Sequence, residues 1–148
     1  MCFKHARWPL VAAVALFPSL GWAQQTSPVG HWKTIDDESG EAKSVIAITE
    51  ENGTLSARIE KILVKKADGS PHVCDKCEGD LKGAPMEGLR IVWDMQPDGD
   101  EWSGGRILDP ESGKVYKAKM KLNEEGPQLE VRGSVAFFGR SQFWHRIE

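Results

Sequence analysis

This sequence lacks long apolar runs after its first two dozen residues, and it lacks the motifs that mark common active sites. No later stretch approaches the roughly 20 apolar residues that a membrane-spanning helix needs. It has no glycine-rich phosphate loop, no serine in a Gly-x-Ser-x-Gly elbow and no acidic cluster with the spacing of a calcium loop. These absences favour a mature protein without an integral membrane segment, a cofactor or catalytic residues.

Basic residues are also in short supply. The chain has 19 Lys and Arg against 22 Asp and Glu, for a formal net charge of −3. Binding to nucleic acid depends on clustered cations. The only local clusters are Lys65-Lys66 and the alternating Lys117, Lys119 and Lys121, which we interpret as solvated loop and strand faces. We therefore expect no nucleic-acid partner.

The N-terminus has the organisation of an export signal. Lys4 and Arg7 precede an apolar run that ends in Gly21-Trp22-Ala23, with small residues where a signal peptidase reads. We predict that residues 1–23 are a cleaved signal peptide and that the protein is periplasmic, with secretion as the alternative. Residues 24–148 then have the length of a single domain.

The remaining chain alternates apolar and polar residues with a period of two, in short segments separated by Gly, Pro, Asp and Asn. This pattern is typical of an all-β sandwich or barrel. We predict about eight antiparallel strands, with one long loop at about 65–88. Eight strands is the number that closes into an up-and-down barrel holding packed side chains or one small ligand. A sandwich is the alternative with the same periodicity.

Several strands can be predicted in detail. The fourth is expected to place four residues on its inward face: Leu89, Ile91, Trp93 and Met95. A turn is expected at 96–99. Gly104 and Gly105 indicate a bulge in the fifth strand. The sixth strand is predicted from Lys114 to Leu122, the seventh from Gln128 to Val135, and the last from Phe143 to Ile147.

The long loop carries a Cys-x-x-Cys pair, Cys74 and Cys77. In an exported protein a structural disulfide is the favoured interpretation. A redox-active pair is the second, but such a pair usually opens a helix, and no helical pattern follows here. A metal site is the third, because His72 would add one ligand, yet no fourth ligand has a recognisable spacing. We expect a disulfide and no metal.

Aromatic residues are numerous and can either fill a barrel or line a ligand cavity. The candidates for cavity or core are Trp32, Trp93, Trp102, Tyr116 and Trp144. A tryptophan at one end of the barrel could be covered by a guanidinium stacked on its ring. The candidates for this closure are Trp32 and three arginines near the last strand, Arg132, Arg140 and Arg146.

Gly30-x-Trp32, together with an arginine near the final strand, resembles the barrel-closing signature of lipocalins and the wider calycin group. The segments 102–110 and 138–144, with Cys74-x-x-Cys77, more specifically resemble the exported bacterial family called domain of unknown function 2147. The resemblance implies a lipocalin-like β-barrel in the cell envelope. It implies no established activity.

Three functions follow from the sequence as hypotheses. The first is a non-catalytic periplasmic barrel that binds a small apolar or amphipathic ligand. The second is an envelope protein that docks to a protein partner through the loop with Cys74 and Cys77. The third is a thiol–disulfide enzyme. No sequence feature pairs a histidine with a nucleophile, so no catalytic residue is predicted.

Overall fold

Eight antiparallel strands make up the protein, and each pairs with the next along the chain. The computed structural model describes residues 27–124 and 127–147, so the predicted signal peptide at 1–23 lies outside the described residues. The strands are β1 (Gly30–Ile35), β2 (Ala42–Glu51), β3 (Thr54–Ile62), β4 (Arg90–Asp98), β5 (Glu101–Asp109), β6 (Lys114–Leu122), β7 (Gln128–Val135) and β8 (Phe138–Ile147).

The first and last strands also pair, His31 with Ile147 and Lys33 with His145, which closes the sheet into a barrel. Closure leaves no unpaired edge strand. The predicted eight-stranded up-and-down barrel is therefore confirmed, and the sandwich is excluded.

The alternation predicted for β4 is wrong at its centre. Two bulges opposite β3 shift the register, and Asp94 has a left-handed φ of 57°. As a result Val92 is fully buried, whereas Trp93 is half-buried, with the Arg90 guanidinium 5.6 Å from its ring centroid. The strand also continues to Asp98, past the start of the predicted turn.

The bulge predicted in β5 is confirmed by the register shift between Trp102 and Gly105. A Cβ at Gly105 would collide with the carbonyl oxygen of Trp93, so only glycine fits there. At the other extreme of the sequence, β8 begins at Phe138, five residues before the predicted start. A two-residue turn, Ala136–Phe137, joins it to β7.

The two ends of the barrel differ. At one end, here called the mouth, lie the β1–β2 turn, the β5–β6 turn, the β7–β8 turn and the long loop at 63–89. The loop contains a single 3₁₀ turn, Gly79–Leu81. The opposite end, called the closed end, carries the short turns after β2, β4 and β6. Within the described part of the chain, no helix has the length and apolar character needed to cross a membrane.

Candidate functional site

The closed end is sealed by Trp32, which is fully buried. The Arg146 guanidinium lies 4.2 Å from the centroid of the Trp32 ring, a cation–π contact. The same guanidinium donates hydrogen bonds to the carbonyl oxygens of Val29 (3.0 Å) and Ser27 (2.7 Å). Trp32 Nε1 donates to the Pro28 carbonyl at 2.8 Å. The segment before β1 is thereby held across this end of the barrel.

At the mouth, the barrel contains an open cavity of about 520 Å³. A large part of its wall consists of aliphatic side chains from the strands: Ile46, Ile59, Ile62, Ile91, Ile107, Leu108 and Val131. Trp144 lines the same space, and Trp32 does not. The volume falls within the range of about 300–1,000 Å³ that is usual for sites of small ligands.

A few polar groups interrupt the apolar wall. The hydroxyls of Thr34 and Ser44, both in the cavity lining, share a hydrogen bond of 2.7 Å. Tyr116 and Gln142 also line the cavity, and within the described residues neither side chain has a hydrogen-bond partner. Their hydroxyl and amide groups can therefore orient a bound molecule that carries polar atoms.

Charged side chains form a rim around the mouth. Lys43 on β2 contacts Glu111 of the β5–β6 turn at 2.7 Å and Asp36 of the β1–β2 turn at 3.6 Å. Arg140 on β8 contacts Asp37 at 2.8 Å. These pairs join turns that are distant in sequence, although exposed ion pairs of this kind each stabilise by only about 0–1 kcal/mol.

Two rim groups have shifted pKa values. Hydrogen bonds from Ser39 lower the pKa of Asp36, whose carboxylate accepts the Ser39 backbone N–H at 2.8 Å. The hydrogen bond to Glu111 is the main cause that raises the pKa of Lys43. Both groups therefore keep their charges over a wide range around neutral pH.

Cys74 and Cys77 form a disulfide in the long loop, and both are buried. Cys74 Sγ lies 3.3 Å from the Pro110 carbonyl oxygen of the β5–β6 turn. The backbone N–H groups of Cys74 and Gly83 bond to the Ala84 and Cys74 carbonyls, respectively. The disulfide therefore holds the loop against the mouth and does not project from it.

Removal of this disulfide should weaken the protein modestly. The ring is short, so the loop-closure model gives a stabilisation of at most about 2 kcal/mol. We expect the Cys74→Ala/Cys77→Ala double variant to lose no more than this in urea unfolding, while far-ultraviolet circular dichroism still reports the barrel. Collapse of the β signal in the double variant would contradict this structural role.

The structure separates the residues that the sequence proposed for the site. Trp144 and Tyr116 line the cavity, Trp32 seals the closed end, and Trp93 and Trp102 are half-buried against the core. Of the three candidate arginines, Arg146 covers Trp32. Arg140 lies at the opposite end, on the rim, and Arg132 is exposed on β7. Among residues 27–124 and 127–147, no group of three or more His, Cys, Asp or Glu is placed to hold a metal.

Sequence reasoning missed other residues of the cavity. Gln142 and Gly133 line it, and Lys43 and Asp36 form part of its rim. The signal for Gly133 was its inward position near the mouth end of a strand, whereas Gln142 precedes the predicted start of the last strand. The rim residue Asp36 gives no signal of its own, because acidic residues are ordinary in polar turns.

A closed eight-stranded antiparallel barrel, sealed by Trp32 at one end and with a cavity at the other, has a lipocalin-like fold. The chain belongs to the family described as "Uncharacterized protein conserved in bacteria (DUF2147)", which matches residues 30–146. Protein HP1028 from the human pathogen Helicobacter pylori, which belongs to the lipocalin family, has a similar structure. Its TM-score is 0.68 at 20% identity, over 82% of this chain and 84% of that chain. This similarity supports the fold. No curated protein matches the sequence significantly.

Proposed function

We propose that this protein is a non-catalytic binding protein of the bacterial periplasm that holds a small apolar or amphipathic molecule in the mouth cavity. The observation that carries the proposal is the mouth cavity of about 520 Å³, which is lined in large part by aliphatic side chains. Aliphatic walls favour an apolar body, and the free polar groups of Tyr116 and Gln142 favour a ligand with at least one polar end.

The two alternative functions find less support. Thiol–disulfide exchange requires access to a sulfur, and both Cys74 and Cys77 are buried. Docking through the disulfide loop stays a hypothesis: Cys74 is packed against the β5–β6 turn at Pro110, while the residues between the two cysteines are exposed. The export signal predicted at 1–23 and the family resemblance support the proposed periplasmic location.

The test is native mass spectrometry of the protein isolated gently from its own cells. We expect a reproducible additional mass that leaves on denaturation and that extraction identifies as a small molecule with an apolar part. A bare polypeptide, recovered repeatedly under conditions that preserve other carrier complexes, would overturn the proposal.

Gly133 offers a direct test of the cavity. It lies on β7 among inward-facing residues, and a Cβ there would approach the side chains of Ile107 and Tyr116 at 3.4 Å, which is ordinary contact. A leucine at this position should enter the cavity without a backbone clash. We expect Gly133→Leu to reduce ligand occupancy at least tenfold in native mass spectra while the barrel stays folded.

Ser134→Leu is the matched control, because residue 134 is next on the same strand and faces the opposite side, across from Lys117. This variant should keep wild-type occupancy. Equal occupancy in both variants would show that the ligand binds elsewhere.

A further inference from the structure

The tip of the β7–β8 hairpin exposes apolar side chains at the mouth. Phe137 is 99% exposed, Phe138 is 80% exposed and Val135 is 55% exposed. Isolated apolar residues are common on protein surfaces, but a contiguous group of this kind usually marks an interaction site. Val135 and Phe138 also line the cavity entrance, so the exposed group is continuous with the ligand cavity.

Turn geometry does not account for these residues. A two-residue hairpin turn favours Asn or Gly, which adopt positive φ easily. Here Ala136 takes a φ of 50°, and Phe137 beside it makes almost no contact with the rest of the protein. The tip therefore combines an unfavourable turn residue with an unburied aromatic ring, and neither helps the barrel to fold.

A basic surface lies beside the tip on the outside of the barrel, in a chain with a net charge of −3. Four exposed residues adjoin one another there on β5, β6 and β7: Arg106, Lys117, Lys119 and Arg132. We call these four residues the basic wall. Because strands rise roughly 3.3 Å per residue, Arg132 lies only about 10 Å from the tip along β7. Within the described chain, Lys119 pairs with Glu101, and the other three form no ion pair.

Like charges also face each other across these strands. Lys119 is directly opposite Arg132, and Lys117 is directly opposite Arg106. Such pairs repel within the isolated protein. Contact with an anionic surface would relieve this repulsion.

From these observations we propose that the β7–β8 tip and the basic wall beside it dock on an anionic lipid bilayer, with the Phe137 ring in the headgroup region and the basic wall against lipid phosphates. The rim carboxylates of Asp36, Asp37 and Glu111 are already paired with Lys43 and Arg140. Exposed aromatic residues beside Lys and Arg are the combination that binds such interfaces. Since the cavity opens at the same end, an apolar ligand could pass between bilayer and barrel without crossing water. That transfer rests on the proposed function, whereas docking itself does not.

The experiment is flotation with vesicles of phosphatidylglycerol and phosphatidylethanolamine, compared with vesicles of phosphatidylcholine alone. We expect binding to the anionic vesicles that weakens as salt is raised. Phe137→Ser should reduce binding about tenfold, and so should Lys117→Gln/Arg132→Gln. The control Lys33→Gln/Lys61→Gln removes two exposed lysines from β1 and β3, outside the basic wall, and should leave binding unchanged.

Absence of wild-type binding to anionic vesicles would overturn the proposal, even if a protein partner that depends on Phe137 were found. Equal losses in the basic-wall variant and the lysine control would also overturn it. Phe137 does not line the cavity, so Phe137→Ser should retain ligand occupancy in native mass spectra. Docking without any ligand would refute the proposed function alone, and a ligand without docking would refute this inference alone.

Discussion

Replacing Trp32 with alanine is expected to lower the free energy of unfolding by about 3–5 kcal/mol, because removal of this fully buried indole leaves a cavity at the closed end. The loss should exceed that of a typical core substitution. The Arg146 guanidinium would lose the ring on which it stacks, and the Pro28 carbonyl would lose its hydrogen-bond donor. Urea unfolding followed by circular dichroism measures the effect. An unchanged unfolding midpoint would contradict this account of the closed end.

A pair of phenylalanine variants separates the hydrogen bond from ring size. Trp32 Nε1 donates to Pro28, whereas the buried Trp144 Nε1 has no hydrogen-bond partner among the described residues. Trp32→Phe should therefore cost about 1–2 kcal/mol more than Trp144→Phe, because only the first leaves a polar partner unpaired. Equal costs for the two variants would show that the indole N–H of Trp32 contributes nothing.

Gly113→Ala is expected to have the second largest effect. Gly113 has a φ of 73°, and a Cβ there would collide with the carbonyl oxygen of Lys76 in the disulfide loop. The left-handed conformation alone costs an alanine about 1–2 kcal/mol. The collision should add about 1–3 kcal/mol, as overpacking does, unless the loop moves away from the β5–β6 turn.

Gly99→Ala is the control for the cost of placing an alanine in the left-handed conformation. Gly99 has a φ of 64° with open space where its Cβ would lie, so only the cost of the left-handed conformation applies. Urea unfolding should place Gly113→Ala well below Gly99→Ala in stability. Limited proteolysis should cut the disulfide loop faster in Gly113→Ala alone. Identical stabilities would mean that the loop does not pack on Gly113 in solution.

Local signals were sufficient for the strands with clear boundaries. The predicted bounds of β6 and β7 agree with the structure, because turn residues flank them and their apolar residues alternate strictly. The start of β8 was missed because the turn Ala136–Phe137 has neither Gly nor Asn. The burial of Val92 in place of Trp93 was not predicted, because it results from bulges opposite β3. Bulges depend on the partner strand, and the periodicity of one strand does not report them.

The cavity was harder to predict for a related reason. Alternation assigns a residue to the inside of the barrel, but its depth depends on strand register and tilt. Trp32 and Trp144 are both buried, yet only Trp144 reaches the cavity. The ion pair between Lys43 and Glu111 joins residues 68 positions apart, a separation that sequence patterns do not connect.

The pairing of β1 with β8 also constrains how the molecule can fold. The barrel closes only when His31 pairs with Ile147, and these residues lie near opposite ends of the sequence that forms the barrel. Contacts between residues so far apart in sequence slow folding. Until β8 is in place, both the strand edges of β1 and β7 and the aliphatic wall face solvent. A chaperone that shields these edges would therefore increase the yield of refolded protein. It would have little effect on the rate at which an individual hairpin forms.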